Sequence, residues 1–354
     1  MTLLTLLTLS GTVYAGPTPL TPRYEGNIQS PQWAPDGSRI AYEVNFYERK
    51  TIELYLITAS GEVEEVLPAA RQSSSLTAGF ASGDSGQVVH QLSWSPSSLN
   101  SYVYSAAGAL RDYNLHLKGG TPLAMAPGTD GGPVWSPDGE IIVFTSARTG
   151  QGDLYAIPVR AMTEDPVQVT SDPDASELYP AWSPDGKSLA YVGHSNTGDN
   201  LYLIEDIAAA DPPRQLTTWQ HMQTRPRFSP DGSQIAFYSN HEDSDRFDLW
   251  ITALSGQQTK VAEDVVMNGR GPVWLPDGSG LLFVADEDDR FDPLYRVKPG
   301  EAPVLVPTGT VGNGDFDLTV LSDGNAYLAL AAQGTEGGDQ RDFMQVYVIP
   351  LPNP

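Results

Sequence analysis

The chain has 354 residues, of which 44 are Asp or Glu and 20 are Lys or Arg, giving a formal net charge of −24 at pH 7. A field of that sign repels phosphate backbones and anionic headgroups, which argues against nucleic acid or an acidic membrane surface as a partner. The absence of cysteine excludes disulfides, thiolate metal sites and thiol nucleophiles, while a hydrophobic fraction of 40% is enough for a large core.

The first element is a short apolar run, Met1 to Ser10, followed by the small-residue pattern Val13-Tyr14-Ala15. The run is too short to span a bilayer and matches the apolar region of a secretory signal. No Lys or Arg precedes Arg23, so the basic stretch that usually opens such a signal is missing. The reading is a signal peptide over residues 1–15 and a single mature domain over 16–354, placed in the periplasm or outside the cell. No other segment is long and apolar enough to cross a membrane.

From residue 31 onward one unit recurs. Pro31-Gln-Trp33-Ala-Pro35-Asp36-Gly37 leads to Ile40-Ala-Tyr42, and Leu92-Ser-Trp94-Ser-Pro96 leads to Tyr102-Val-Tyr104. Further copies centre on Trp135, Trp182, Phe228 and Trp274, and a worn seventh copy is Leu318-Thr-Val320-Leu-Ser-Asp323-Gly324. Most steps are 41 to 47 residues, with one of 61 between Trp33 and Trp94. That period belongs to a four-stranded propeller blade. Pro presets φ in the turn, Asp bonds back to the local backbone and Gly takes positive φ, so each Pro-Asp-Gly is a hairpin between the first and second strands. The Trp before it is a flat side chain suited to the gap between neighbouring sheets. A third strand follows at Leu54-Tyr55, Leu115, Leu154-Tyr155, Leu201-Tyr202, Leu249-Trp250, Leu294-Tyr295 and Val346-Tyr347. A fourth follows at Val66-Leu67, Pro122-Leu123, Val167 to Thr170, Gln215 to Thr217, Lys260-Val261 and Val304 to Val306. The seventh unit lacks its fourth strand at the C-terminus, but Thr18-Pro-Leu20-Thr21 has the pattern of Arg214-Gln-Leu216-Thr217. The expectation is therefore an all-β, seven-bladed propeller of four-stranded antiparallel blades. Its N-terminal strand pairs into the last blade, closing the ring and hiding two sheet edges. Six blades is the alternative if the worn copy is discounted.

The core Pro-x-Trp-Ser-Pro-Asp-Gly-x-x-Ile-Ala-Phe and the later Leu-Tyr resemble the TolB-type (WD40-like) propeller repeat, over about residues 18–350. The resemblance is to the propeller only, without the α/β domain that TolB carries, and with seven blades where TolB has six. It implies a periplasmic or extracellular scaffold that binds other proteins. Prolyl-oligopeptidase-type peptidases share such repeats but need a Gly-x-Ser-x-Gly elbow, which this chain lacks. Oligogalacturonate lyases, with a His-rich metal site on seven blades, are a third relative.

Candidate site residues follow from what the repeat does not demand. Connections between blades share one face of a propeller, opposite the Pro-Asp-Gly hairpins. On that face the link Trp219-Gln-His221-Met-Gln223-Thr-Arg225 joins blades 4 and 5, and Trp beside His and Arg is the composition of a binding hot spot. His194 and His241 begin loops in the same sector, and Arg270 lies in the next link. Three such imidazoles could serve a metal or acid–base chemistry. The acidic loop holding Asp286, Asp288 and Asp289 is a candidate for calcium or another divalent metal, and Arg246 and Arg290 in repeated Arg-Phe-Asp segments are expected to pair with carboxylates. The Ser/Gly-rich insertion at 69–91 is a long loop of either functional or merely connecting character. No phosphate loop, nucleophile elbow or distinct carboxylate pair stands out. The first reading is a non-catalytic interaction module with an envelope or extracellular protein partner, no assigned cofactor and an oligomeric state the sequence leaves open. The second is a metal-dependent, lyase-like or glycan-binding propeller that uses the histidine sector.

Overall fold

Seven antiparallel sheets follow one another along the chain in the computed structural model. It describes residues 17–351 except 47, 50, 72–91, 98–100, 108–112, 124–127, 163, 288–291 and 335–343. Among the described residues almost all regular structure is strand; one 3₁₀ turn, Val159–Ala161, interrupts it. The first strands of the blades are Asn27–Trp33, Leu92–Trp94, Asp130–Trp135, Ala175–Trp182, Gln223–Phe228, the split pair Val265–Val266 with Val273–Trp274, and Phe316–Val320. Blades 1 to 5 then run first to fourth strand in chain order, as the repeat predicts.

The hairpins explain the repeat's lettering. Gly37, Gly139, Gly186, Gly232, Gly278 and Gly324 all have φ between 67° and 81°, the left-handed region that an L side chain rarely takes. The Asp before each Gly accepts the backbone N–H two residues on, as Asp138 does from Glu140 and Asp231 from Ser233, both at 3.0 Å. The Ser of Trp-Ser-Pro-Asp-Gly is also part of the turn. Ser136, Ser183 and Ser229 each donate to the following Asp at 2.6 Å and accept a backbone N–H from the start of the second strand. Those hydroxyl bonds, with the backbone N–H, hold Asp138, Asp185 and Asp231 below the usual carboxylate range.

The aromatic before each hairpin packs on the preceding blade. Trp33 lies with Ala329 and Val346 of blade 7, Trp94 with Leu54 and Leu56 of blade 1, Trp135 with Val103 and Leu115 of blade 2, and Trp274 with Ala236 and Leu249 of blade 5. The core is thus a ring of wedges between sheets, each sealed by one large ring system.

Blade 7 contributes three strands of its own, Phe316–Val320, Ala326–Ala332 and Gln345–Pro350. The N-terminal segment completes it. Pro19 bridges Tyr347, Leu20 N–H donates to Val346 O at 2.7 Å, Val346 N–H donates to Thr21 Oγ1 at 3.0 Å, and Gln345 Nε2 donates to Thr21 O at 2.6 Å. The outer strand is there as expected, in the form of a bridge rather than a long ladder. In blade 6 the first strand breaks around Asn268-Gly-Arg-Gly-Pro272, and both pieces pair with Leu281–Ala285. Gly271 at φ 104° and the missing N–H of Pro272 account for the break.

Candidate functional site

Blades 4 and 5 bring four candidates into one sector. The third strand of blade 4, Gly198–Ile204, pairs with its second, Leu189–Ser195, so that His194 stands opposite Asp199, and the imidazole Nδ1 and Asp199 Oδ1 are in hydrogen-bond contact. That bond raises His194 above the ordinary histidine value, against the opposing effect of burial. Asp199 N–H donates to His221 O at 2.9 Å. His221 itself is exposed and sits at φ 70°, which turns the link back so that Trp219 N–H reaches Asn200 Oδ1 at 3.0 Å. The Trp219 ring then stacks on His241, with centroids 3.7 Å apart and planes 12° apart. Trp250 closes on both rings edge-on, at 4.8 and 4.7 Å. Burial lowers His241 below the ordinary value, so the two histidines of this sector are shifted in opposite directions. Trp219 also packs with the core cluster of Ala190, Val192 and Phe237, which makes it a wall of the sector rather than a free platform.

Arg225 and Arg270 belong to a second group, on the axis of the ring. Five first strands carry positive φ at the residue before the shared Pro: Ser30 (51°), Gly132 (61°), Tyr179 (55°), Arg225 (54°) and Gly271 (104°). The register with the second strand slips at the same place, between Gln29 and Gln32, Leu178 and Ala181, and Thr224 and Arg227. Such a bulge re-aims the side chain beside it. At a non-glycine residue the left-handed backbone costs roughly 1–2 kcal/mol, so neighbours must hold it in place. Asp315 does so for Ser30, taking its N–H at 2.7 Å while taking Gly269 N–H with the other oxygen at 2.7 Å. Asp317 takes Trp33 N–H at 2.8 Å. Arg225 Nε donates to Gly269 O at 3.0 Å, and its guanidinium lies over the Tyr179 ring at 5.6 Å.

These strands enclose an axial cavity of about 60 Å³ whose walls include Ser30, Gln32, Glu43, Tyr179, Arg225, Arg227 and Arg270. Arg227 donates through Nε and Nη2 to Arg270 O, at 2.8 and 2.5 Å. Arg270 donates through Nη1 to Leu92 O at 3.2 Å. Burial and the like charge of Arg270 push Arg227 down to about 10; burial also lowers Arg270, against Asp317, Glu43 and Asp315. Glu43 is 1% exposed, accepts from Gln29 Nε2 at 3.0 Å, and is pushed up to about 8 by burial. The sequence reading missed Glu43, Arg227, Asp315 and Asp317. One signal was available for Arg227. Other copies place Gln32, Val134, Ala181 or Val273 between Pro and the aromatic, whereas blade 5 places an arginine there.

In the acidic loops, Arg246 donates to Asp264 Oδ2 at 2.8 Å, the pairing expected of it. Lys260 reaches Glu242, Glu263 and Asp248 at 2.6, 2.7 and 3.5 Å. Asp286 follows the second strand of blade 6, its N–H on Asp264 O at 2.8 Å. Its calcium partners Asp288 and Asp289, together with Arg290, His90 and the core of the 69–91 insertion, lie outside the described residues. Among the described residues no three His, Asp or Glu side chains converge as metal ligands would.

Residues 162–325 match the sequence profile of the TolB beta propeller domain. Among solved structures, the chain is similar to hydrazine synthase from Kuenenia stuttgartiensis at 14% identity, covering 98% of this chain and 99% of that one with a TM-score of 0.59. It is similar to the β-propeller domain of the trilobed protease from Pyrococcus furiosus, described as having an open velcro topology, at 10% identity, 93% and 98% coverage and a TM-score of 0.55. A TolB protein from Agrobacterium tumefaciens aligns at 17% identity over 93% of this chain and 92% of that one, with a TM-score of 0.45. At these identities the structural likeness speaks to fold alone. From the last strand of blade 3 to the hairpin of blade 7, the repeats of this chain thus match those of the TolB β-propeller domain.

Proposed function

We propose that the chain is an exported, non-catalytic scaffold that engages a protein of the cell envelope or extracellular space through its inter-blade face. The observation that carries this reading is the contrast between the two faces around blades 4 and 5. The hairpin face repeats one self-satisfied turn, its Asp and Ser groups spent on each other and on the turn's own backbone. The other face holds non-repeating sequence, with exposed Gln220 and His221 carried on a left-handed turn above the Trp219–His241 stack. Export rests on the signal-like residues 1–15, which precede the described residues, and no helix among the described residues is long and apolar enough to cross a membrane. The metal- or glycan-using alternative is less favoured, because His194 is committed to Asp199 and one face of Trp219 is covered by His241.

The test is a crosslinking capture from envelope extract with protein beginning at Gly16. The parent is run beside Gln220→Ala/His221→Ala, and beside the hairpin-face control Lys187→Ala/Ser233→Ala. The proposal expects one specific protein captured by parent and control and lost by the first variant. Equal capture by all three would place the contact elsewhere, and no specific capture would remove the interaction reading.

A further inference from the structure

The axial cavity carries positive charge inside an acidic protein. Three arginines, Arg225, Arg227 and Arg270, line its wall. Arg227 and Arg270 are surrounded by protein yet keep part of their surface on the cavity. Both spend their donors on backbone carbonyls, not carboxylates, and neither forms an ion pair among the described residues. A guanidinium has five N–H donors, so most of those on this pair remain for something else. Two enclosed guanidiniums, each hydrogen-bonded only to backbone carbonyls, are costly to hold without an anion nearby. Asp315 and Asp317 supply part of the balance, but their oxygens are engaged by backbone N–H groups of Ser30, Gly269 and Trp33. Glu43, whose carboxyl is pushed up by burial against the pull of Arg270, also lines the cavity.

We propose that Arg227 and Arg270 form the binding site of a small free monocarboxylate in the axial cavity. A carboxylate matches the planar fork of arginine. The size agrees. A water needs about 10–15 Å³ of such space, so the cavity's 60 Å³ corresponds to about four to six waters, the heavy-atom count of acetate or glycolate. This site is independent of the partner surface proposed above.

The test is a titration of the parent protein, labelled with ¹⁵N-arginine, followed through the Nε–H resonances. Sodium acetate is compared with sodium chloride and sodium sulfate at matched ionic strength. Two Nε signals are expected to shift saturably with acetate in the millimolar range, the scale open to a ligand of about four heavy atoms, with at least tenfold weaker response to chloride and sulfate. Arg227→Lys and Arg270→Lys each remove one of these signals, which assigns them. Arg270→Gln, if it melts cooperatively, loses the acetate response of Arg227 as well. Should that variant fail to fold, the parent titration still decides. Linear shifts without saturation, or equal shifts with all three salts, would overturn the proposal.

Discussion

Ring closure can be broken at one atom. Thr21 Oγ1 accepts the Val346 N–H at 3.0 Å in a buried setting, and Thr21→Val removes that acceptor while keeping a β-branched strand residue of similar shape. A buried backbone N–H left without a partner costs about 1–3 kcal/mol. At about 2 °C per kcal/mol for a chain this large, Tm should fall by about 2–6 °C. Deleting residues 17–24 goes further. Three hydrogen bonds to Gln345 and Val346 are lost, at about 1 kcal/mol each plus the cost of stranded donors. The contacts of Leu20 and Tyr24 with the core cluster of Trp33 and Val346 are lost as well, each worth up to about 1.5–3 kcal/mol. The sum, about 5–10 kcal/mol, is of the order of a domain's whole stability, so the truncated chain should lose its cooperative transition. The assay is calorimetry, with Thr18→Val at an exposed position as the control, expected within about 0.5 kcal/mol of the parent. A Thr21→Val melt within 1 °C of the parent, or a truncated chain that still melts cooperatively at the parental temperature, would refute the closure.

Other consequences are open to measurement. Glu43 holds its proton to about pH 8 when folded but releases it near 4.5 when unfolded, so its contribution is fully present below about pH 4.5 and is lost as pH rises through 8; Glu43→Gln should therefore raise Tm relative to the parent at pH 9 and not at pH 4. His194 is raised by Asp199, so that pair stabilises the fold below pH 6.5 and fades as pH rises through the folded value. Asp199→Asn should accordingly lower Tm more at pH 5.5 than at pH 8.5, and a pH-independent loss would deny the ion pair. Trp135→Ala empties the wedge between blades 2 and 3 and should cost about 3–5 kcal/mol in denaturant unfolding, whereas a loss under 1 kcal/mol would show that the ring is not sealed by these side chains.

The fold was legible because every blade repeats the same local chemistry. Pro, Asp and Gly mark hairpins whatever surrounds them, and the outer strand at Thr18 to Thr21 could be matched to its counterpart at Arg214 to Thr217. The histidine sector was legible for the same reason, since repeat position places His194, His221 and His241 on one face. The axial cavity was not. Asp315 meets Ser30 across 285 residues of chain, and Arg227 meets Arg270 across a blade boundary; no spacing rule connects them. The left-handed backbone at Ser30, Tyr179 and Arg225 is imposed by tertiary bonds on residues with no preference for it, which is why Arg225 and Arg270 read as surface candidates and sit instead at the axis. The split first strand of blade 6 was hidden likewise, because Val273-Trp274 keeps the repeat pattern while Gly271-Pro272 interrupts the ladder.

The most direct test of the scaffold reading is hydrogen exchange of this chain, alone and with the protein it captures. The account predicts new protection in the inter-blade face of blades 4 and 5, at residues 198–200, 218–222 and 241–248, with the Pro-Asp-Gly hairpins unchanged. Protection confined to those hairpins, at 185–187 and 231–233, would contradict it.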